Sequence, residues 1–188
     1  MDAAKSENIH GRVLDLGCAV GRTSVELASH FNEVIGLDYS HAFINAANKV
    51  LDQKYPDLKT KIKFIQGDAC KLNPDLGKFD IIFAGNLVDR LYDPREFLTQ
   101  VTKFMTEKSI LVLTSPYTWL EEYTNLEKWL GGRKIDGKDV TTYESLREVT
   151  AALGLKELKG AEDVRFVIKD NPWVYQYTNA QMTFWIRL

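Results

Sequence analysis

The chain has 188 residues, of which 45% are hydrophobic and 27% are charged, so it is neither a disordered nor a fibrous protein. A length of this order suits one domain. Lys and Arg together number 24 against 26 Asp and Glu, and the resulting net charge of −2 argues against a protein dedicated to binding nucleic acid.

Cysteine content and apolar runs exclude two further classes. Two cysteines, Cys18 and Cys70, are too few for a disulfide framework and lack metal-binding spacing, so we predict no metal site. No apolar run reaches the ~20 residues of a membrane span, and the first ten residues lack a signal-peptide core. We therefore expect a cytoplasmic protein that does not associate with a membrane.

Apolar strand-like segments alternate with helix-like segments from Arg12 onward. Strands are predicted at 12–16, 33–38, 63–67, 79–84 and 109–114. Helices are predicted at 23–31, after Ser40, after Asp93 and at 142–153. Residues that favour helix starts precede these segments, and they are the capping-box pairs Thr23/Glu26 and Thr141/Glu144 and the N-cap residues Ser40 and Asp93. The alternation predicts an α/β fold with a parallel sheet, and the uniformly apolar strands indicate helices on both faces.

The C-terminal part of the chain has a different character. Segments 164–169 and 176–188 are rich in β-forming residues and are predicted to form an antiparallel pair that closes the sheet. Segment 115–140 is too long for a plain connection and carries two of the four tryptophans. We expect one domain over residues 1–188, with an active-site cap inserted at 115–140.

The first strand leads directly into the motif Asp15-Leu16-Gly17-Cys18-Ala19-Val20-Gly21. Its glycines permit a tight turn and close approach of the backbone to a ligand at a helix start. The motif is not the G-x-G-x-x-G of dinucleotide-binding proteins, and the sequence contains no P-loop. The carboxylate of Asp15 would repel a pyrophosphate and favour a cationic group, such as the ammonium of an amino acid.

Two further carboxylates follow the next two strands. Asp38 lies about 20 residues after Gly17, the usual position of an acid that binds ribose hydroxyls. Asp68 can accept a hydrogen bond from an adenine amino group. An adenosine joined to a cationic amino acid fits this set, and S-adenosylmethionine is that molecule. The predicted cofactor-binding residues are Asp15, Gly17, Cys18, Ala19, Gly21, Asp38, Tyr39, Ser40, Asp68, Ala69, Cys70, Asn86 and Leu87.

In this order, the motif and the two carboxylates resemble class I S-adenosylmethionine-dependent methyltransferases over residues 12–188. The resemblance implies a Rossmann-like, mostly parallel seven-stranded sheet with helices on both faces and a C-terminal antiparallel strand pair. In that fold the loop after the fourth strand, here 85–91, faces the transferred methyl group. The loop lacks the N-P-P-Y pattern that binds a flipped adenine, so we expect a small-molecule substrate and no nucleic acid.

Candidate acceptor-side residues come from three segments, and they are Asp89, Arg90, Tyr117, Trp119, Tyr123 and Arg165. The aromatic residues are expected either to face the sulfonium or to pack on the sheet as a hydrophobic cap. Arg165 is expected to bind a substrate carboxylate or to form a surface ion pair, and the two cysteines are alternatively packing residues. Tyr117, Glu121 and Asp89 are candidate proton acceptors, and the sequence assigns no catalytic base.

A narrower resemblance is to the C-terminal methyltransferase domain of ovothiol synthase and its stand-alone relatives. It rests on GCAVGRTSVELASHF, IGLDYSHAFI, NLVDRLYDP, SPYTWLEEYT with WLGG, and RFVI. It implies methylation of an imidazole nitrogen of 5-mercaptohistidine. Only 11 residues precede the first strand, where that family usually has a longer segment, so we expect a larger synthase chain or a partner. The alternatives are a methyltransferase for another small metabolite and a non-catalytic docking domain.

Overall fold

The structure, a computed structural model, describes residues 11–188. Its main sheet has seven strands in the order β3-β2-β1-β4-β5-β9-β8. The strands are β1 (Arg12–Leu16), β2 (Glu33–Asp38), β3 (Ile62–Gln66), β4 (Phe79–Gly85), β5 (Met105–Ser115), β8 (Leu155–Lys169) and β9 (Tyr175–Arg187). The first five are parallel, whereas β9 is antiparallel to both β5 and β8. The predicted fold class is confirmed.

In the part of the chain that the structure describes, four α-helices connect or flank the strands, and they are α1 (Arg22–Ala28), α2 (His41–Lys54), α3 (Pro94–Lys103) and α4 (Thr142–Ala152). Three of the predicted helix starts are confirmed: Ser40 and Asp93 cap α2 and α3, and α4 opens with the Thr141/Glu144 capping box. The predicted Thr23/Glu26 capping box is wrong. Helix α1 starts one residue earlier because Gly21, with a φ of 83°, is its N-cap, and no side chain of residues 11–188 caps it.

Several predicted strand ends also need correction. Strand β3 lies one residue earlier than predicted, and β5 begins at Met105 instead of 109. The pairing of β4 with β5 shifts register after Phe79, and Lys108 has a φ of 59°, so the extra residues are accommodated as an irregularity. Strand β8 begins at Leu155 because β9 pairs with it along nearly its whole length.

The two faces of the sheet bury separate apolar clusters. On one face Leu14 and Leu16 pack with residues of α3 and α4, and on the other Val13 packs with residues of α1 and α2. This alternation follows from the two-residue period of a strand, and it requires helices on both faces. Within residues 11–188, no helix is long and apolar enough to cross a membrane.

The segment between β5 and α4 forms a small structure of its own. It contains a 3₁₀ turn at Leu126–Lys128 and a hairpin of β6 (Arg133–Ile135) and β7 (Lys138–Val140), which pair with each other and not with the main sheet. We call residues 116–141 the insertion. It packs on the sheet face that carries α3 and α4, because Trp119 and Leu130 belong to the buried cluster on that face.

The hairpin formed by β8 and β9 extends further than β5, the neighbouring strand with which β9 pairs. Gln181 of β9 lies opposite Ser115, the last residue of β5. Residues 164–180 therefore extend beyond the carboxyl edge of the parallel strands, where β8 and β9 pair only with each other. We call residues 164–180 the arm.

Candidate cofactor and substrate site

The loop between β1 and α1 requires glycine at two positions. Gly17 has a φ of 72° and Gly21 a φ of 83°, in the left-handed region that other residues seldom adopt. A Cβ on Gly21 would lie 2.3 Å from the Phe64 ring. The N–H groups of Gly17 and Cys18 donate to the Leu37 carbonyl at 2.8 and 3.1 Å, which holds the loop against the end of β2.

Asp38 joins the two loops that border the site. Its Oδ2 accepts a hydrogen bond from the Ala19 N–H and its Oδ1 from the Ser40 N–H, both at 2.9 Å. Each carboxylate oxygen has a second lone pair, so Asp38 can still accept from two ribose hydroxyls. The side chain therefore shapes the site and keeps the capacity that the sequence predicted for it.

Asp15 lies beneath the glycine loop and is only 1% exposed. The Ser24 hydroxyl donates to its Oδ2 at 2.6 Å. Burial raises the pKa of the Asp15 carboxyl to about 6, the Ser24 hydrogen bond opposes this rise, and the charge of Asp38 adds to it. Because an ionised carboxylate here is poorly solvated, a nearby cation stabilises it.

Asp68, which follows β3, accepts hydrogen bonds from its own loop and from the segment before α3. Its Oδ1 accepts from the Cys70 N–H at 2.8 Å, and its Oδ2 accepts from the Tyr92 hydroxyl at 3.1 Å. Partial burial and this hydrogen bond raise the pKa of Tyr92, which keeps the hydroxyl protonated and able to donate. Tyr92 is absent from the sequence-based candidates, and its place directly before the N-cap Asp93 gave no signal of this contact.

A cavity of about 440 Å³ lies at the carboxyl edge of the strands, a volume typical of small-molecule sites. Eight of the predicted residues line it, and they are Gly17, Asp38, Tyr39, Asp68, Ala69, Leu87, Arg90 and Tyr123. The sequence missed five further lining residues, which are Leu37, Gly67, Leu91, Tyr92 and Glu122. A larger groove of about 880 Å³ lies beside α4 and the C-terminus and contains none of the predicted residues.

Several predicted cofactor-site residues lie behind the cavity wall. Cys18 and Cys70 are buried, and burial raises the pKa of both thiols, that of Cys70 to about 11, as expected of packing residues. Asn86 has a φ of 52°, and its N–H donates to the Thr114 carbonyl at 2.8 Å while its Oδ1 accepts from the Thr114 hydroxyl at 3.2 Å. These residues shape the backbone around the cavity.

Asp89 and Arg90 connect the β4 loop to the insertion. Asp89 is 1% exposed, and its Oδ2 accepts from the Arg90 guanidinium at 2.9 Å and from the Thr118 N–H and hydroxyl at 2.9 and 3.1 Å. Its Oδ1 is buried and has no hydrogen-bond partner among residues 11–188. Arg90 also donates to the Thr118 carbonyl at 2.7 Å and lies 5.3 Å above the Tyr123 ring. Thus Arg90 reaches the cavity, and Asp89 positions it from behind.

The remaining acceptor-side candidates are not brought to the cavity wall. The Tyr117 hydroxyl donates to Gln181 Oε1 at 3.0 Å, and burial raises its pKa. Trp119 is buried, donates to the Thr142 hydroxyl at 2.9 Å and stacks on Trp129, in agreement with a hydrophobic cap on the sheet. Arg165 is exposed on the arm.

Glu121, a candidate proton acceptor, is also exposed, and it borders a surface groove with Arg133 instead of the cavity. Within the part of the chain that the structure describes, no group of three or more His, Cys, Asp or Glu side chains is placed to hold a metal ion.

A sequence profile described as "Methyltransferase domain" matches residues 7–148. The chain belongs to this family of methyltransferase domains. A relative is the magnesium-protoporphyrin O-methyltransferase of Rhodobacter capsulatus, 35% identical over 109 residues, which are 57% of this chain and 46% of that protein. The chain thus spans about half the length of the curated relatives it matches.

Solved structures show the same fold. A methyltransferase from Clostridium acetobutylicum aligns with a TM-score of 0.70 at 14% identity over 99% of this chain and 88% of that one. The magnesium protoporphyrin IX methyltransferase of Synechocystis PCC 6803 with bound S-adenosylmethionine aligns with a TM-score of 0.63 at 15% identity over 99% and 74%. The predicted class and cofactor are confirmed. The narrower resemblance to ovothiol synthase has no support among these comparisons and stays a prediction.

Proposed function

We propose that this protein transfers a methyl group from S-adenosylmethionine to a ring nitrogen of 5-mercaptohistidine. The observation that carries the proposal is the junction of two segments on which the narrower resemblance rests. Segment 86–94 (NLVDRLYDP) and segment 115–124 (SPYTWLEEYT) are joined beside the cavity by the hydrogen bonds of Asp89 and Arg90 to Thr118. A second link is the Thr124 hydroxyl, which donates to the Leu91 carbonyl at 2.6 Å.

The residues at the carboxyl edge fit the methyl donor. Gly17 leaves open the space beside Leu87, since a Cβ there would lie 3.0 Å from the Leu87 side chain. Asp38 and Asp68 offer acceptors for the ribose hydroxyls and the adenine amino group, and Asp15 favours the cationic amino-acid end. When bound, S-adenosylmethionine supplies a methyl carbon made electrophilic by the adjacent sulfonium.

Positioning is the main task of the chain in this reaction. A neutral imidazole nitrogen already carries the lone pair that attacks, so no side chain has to remove a proton first. Alignment alone can supply effective molarities of about 10⁵–10⁸ M. In the proposed roles, Arg90 and Tyr123 hold the thiolated ring at the cavity, and the insertion caps the site and excludes water.

The amino-acid end of the substrate is assigned to the base of the arm. Asp163 lies opposite Gln181, the residue that accepts from the Tyr117 hydroxyl. Arg165 lies two residues after Asp163 on the same face of β8, so the two residues are roughly 7 Å apart. We therefore assign the substrate carboxylate to Arg165, with the imidazole directed toward the cavity.

The decisive experiment is incubation with S-adenosylmethionine and either 5-mercaptohistidine or histidine, followed by mass spectrometry of the products. We expect one added methyl group on a ring nitrogen of 5-mercaptohistidine, with kcat/KM about a hundredfold or more above that for histidine, because polar site groups lose their partner when the sulfur is missing. Equal turnover of both substrates, or methylation of sulfur or the α-amine, would contradict the assignment.

A second candidate is methylation of another small metabolite, which the O-methyltransferase relative favours. A panel of small hydroxylated and carboxylated metabolites in the same assay separates the two candidates. The Asp38→Ala variant serves as the control for enzyme-dependent transfer. A docking domain without activity is disfavoured by the intact cavity, which Asp38 and Asp68 line, and by the buried Asp15 close by.

A further inference from the structure

The arm leaves the main sheet as a two-stranded ribbon. Its six residue pairs, from Val164 opposite Ala180 to Lys169 opposite Tyr175, have no third strand beside them among residues 11–188. At about 3.3 Å per residue, the tip lies roughly 20 Å beyond Gln181. A two-stranded ribbon is marginally stable in water on its own, so contact with further protein surface would stabilise the arm.

The arm also exposes an unusual amount of apolar surface. Its exposed apolar residues are Val167 (56%), Ile168 (48%), Trp173 (87%), Val174 (47%), Tyr175 (57%) and Tyr177 (59%). Without Ile168, which lies on the other face of the ribbon, these fractions correspond to roughly 600 Å² of accessible surface, as large as the largest apolar patches on typical monomers. Val167 lies directly opposite Tyr177, and Tyr175 is two residues further along the same face, whereas Ile168 lies on the other face. Val167, Tyr175 and Tyr177 therefore form one continuous apolar face, which adjoins Trp173 and Val174 in the turn.

Charge decides what kind of surface can cover the arm. The arm carries Arg165, Lys169 and Asp170, a net charge of only +1. Lys169 lies over the Tyr175 ring at 5.6 Å, and Asp170 accepts from Gln176 at 2.9 Å. Nucleic acids and anionic membranes select clusters of basic residues, which the arm lacks. The matching surface is therefore apolar and nearly neutral.

We propose that the arm of one copy packs against the arm of a second copy in a symmetric dimer. A two-fold dimer contact uses the same patch on both subunits, and the arm has the required apolar, nearly neutral surface itself. Roughly 600 Å² on each chain, about 1,200 Å² in total, reaches the lower end of the range of specific stable interfaces. The Tyr117–Gln181 hydrogen bond fixes the end of the arm that is nearest to the main sheet, and the proposed contact lies further along the arm.

The test is the mass in solution, measured by size-exclusion chromatography with light scattering and by sedimentation equilibrium across the micromolar range. We expect a dimer for the wild type and a monomer for the double variant Trp173→Ser/Tyr177→Ser. The control Phe43→Ser/Leu126→Ser removes two exposed apolar side chains outside the arm, at 48% and 46% exposure, and should remain dimeric. Circular dichroism and thermal unfolding check that each variant folds, and Tyr177→Lys provides a second arm variant.

A spectroscopic readout tests the same contact without relying on a folded arm variant. Of the tryptophans, Trp173 is the most exposed, so its emission should shift to shorter wavelength as the protein concentration rises and the arms associate. Trp173→Phe should lose that shift. A monomeric wild type at all concentrations, or a control variant that dissociates as readily as the arm variant, would overturn the proposal.

Discussion

Asp89 and Thr118 are joined by two hydrogen bonds across 29 residues of sequence, from the Thr118 N–H at 2.9 Å and from its hydroxyl at 3.1 Å. The Asp89 carboxylate is buried, so these bonds lie away from solvent. They attach the insertion to the β4 loop, and the same carboxylate orients Arg90. The geometry of the acceptor side therefore depends on one buried acid that does not itself line the cavity.

Replacing Asp89 should affect stability and turnover together. Asp89→Ala leaves the Thr118 N–H and the Arg90 guanidinium without their partner, and we expect a loss of about 2–4 kcal/mol in the free energy of unfolding. We also expect kcat/KM for the acceptor to fall more than affinity for S-adenosylhomocysteine. Urea unfolding and calorimetry measure the two effects. The exposed Glu121→Ala in the same insertion is the control, and equal effects of both variants would contradict this role.

The cofactor prediction rests most directly on Asp38. Asp38→Ala removes charge-assisted hydrogen bonds worth about 1.5–3 kcal/mol each, so S-adenosylhomocysteine should bind about tenfold more weakly or worse in calorimetry. Circular dichroism should show that the fold is retained, although the Ala19 and Ser40 N–H groups lose their acceptor. Asp57→Ala, at an exposed acid remote from the cavity, is the control. Unchanged affinity would remove the ribose assignment.

Asp15 makes stability depend on pH. Because its folded pKa of about 6 lies above the unfolded value, the favourable contribution present below pH ~4 is lost as the pH rises through 6. Asp15→Asn should therefore raise the free energy of unfolding at pH 7.5 by up to about 3 kcal/mol and change little at pH 4. Urea unfolding of the ligand-free protein at both pH values measures this difference, and equal stabilities at pH 7.5 would show that burial does not raise this pKa.

The charge of Asp15 also predicts ligand preference. S-adenosylmethionine should raise the melting temperature, since a ligand that binds only the folded state stabilises it by mass action. NAD should give no such shift, because its pyrophosphate is repelled by Asp15. Thermal-shift measurements with both compounds, repeated with Asp15→Asn, check the preference. A larger shift with NAD in the wild type would refute the assigned ligand class.

Trp119 is expected to matter through packing. Trp119→Ala should cost about 3–5 kcal/mol of stability, as for other large core truncations. Trp119→Phe keeps most of the volume and loses the hydrogen bond to Thr142, so it should cost only about 0.5–1.5 kcal/mol. Chemical denaturation compares the two variants. Full stability of Trp119→Ala would place this side chain outside the core and return it to the candidate substrate residues.

The sequence by itself determined the parallel sheet and the main residues of the candidate cofactor site. The predicted bounds of β1 and β2 are those observed, because both segments are rich in apolar residues, Gly17 follows β1, and the helix N-cap Ser40 lies two residues after β2. Gly17, Asp38 and Asp68 were found in the same way, since parallel strands bring their carboxyl ends to one edge. These features depend on local pattern and on a simple topological rule.

Only the tertiary structure decided which residues of the long connections reach the cavity. Aromatic residues are common both in protein cores and on binding surfaces, so the sequence did not decide between these two roles. In the structure Trp119 is buried and Tyr123 lines the cavity. Two contacts join residues that are distant in sequence: Tyr92–Asp68, 24 residues apart, and Tyr117–Gln181, 64 residues apart. The burial of Asp89 was likewise decided by the tertiary structure. The length of the arm depends on the register of β9 against β5. Such long-range pairings are set by how elements pack, which periodicity and capping residues do not encode.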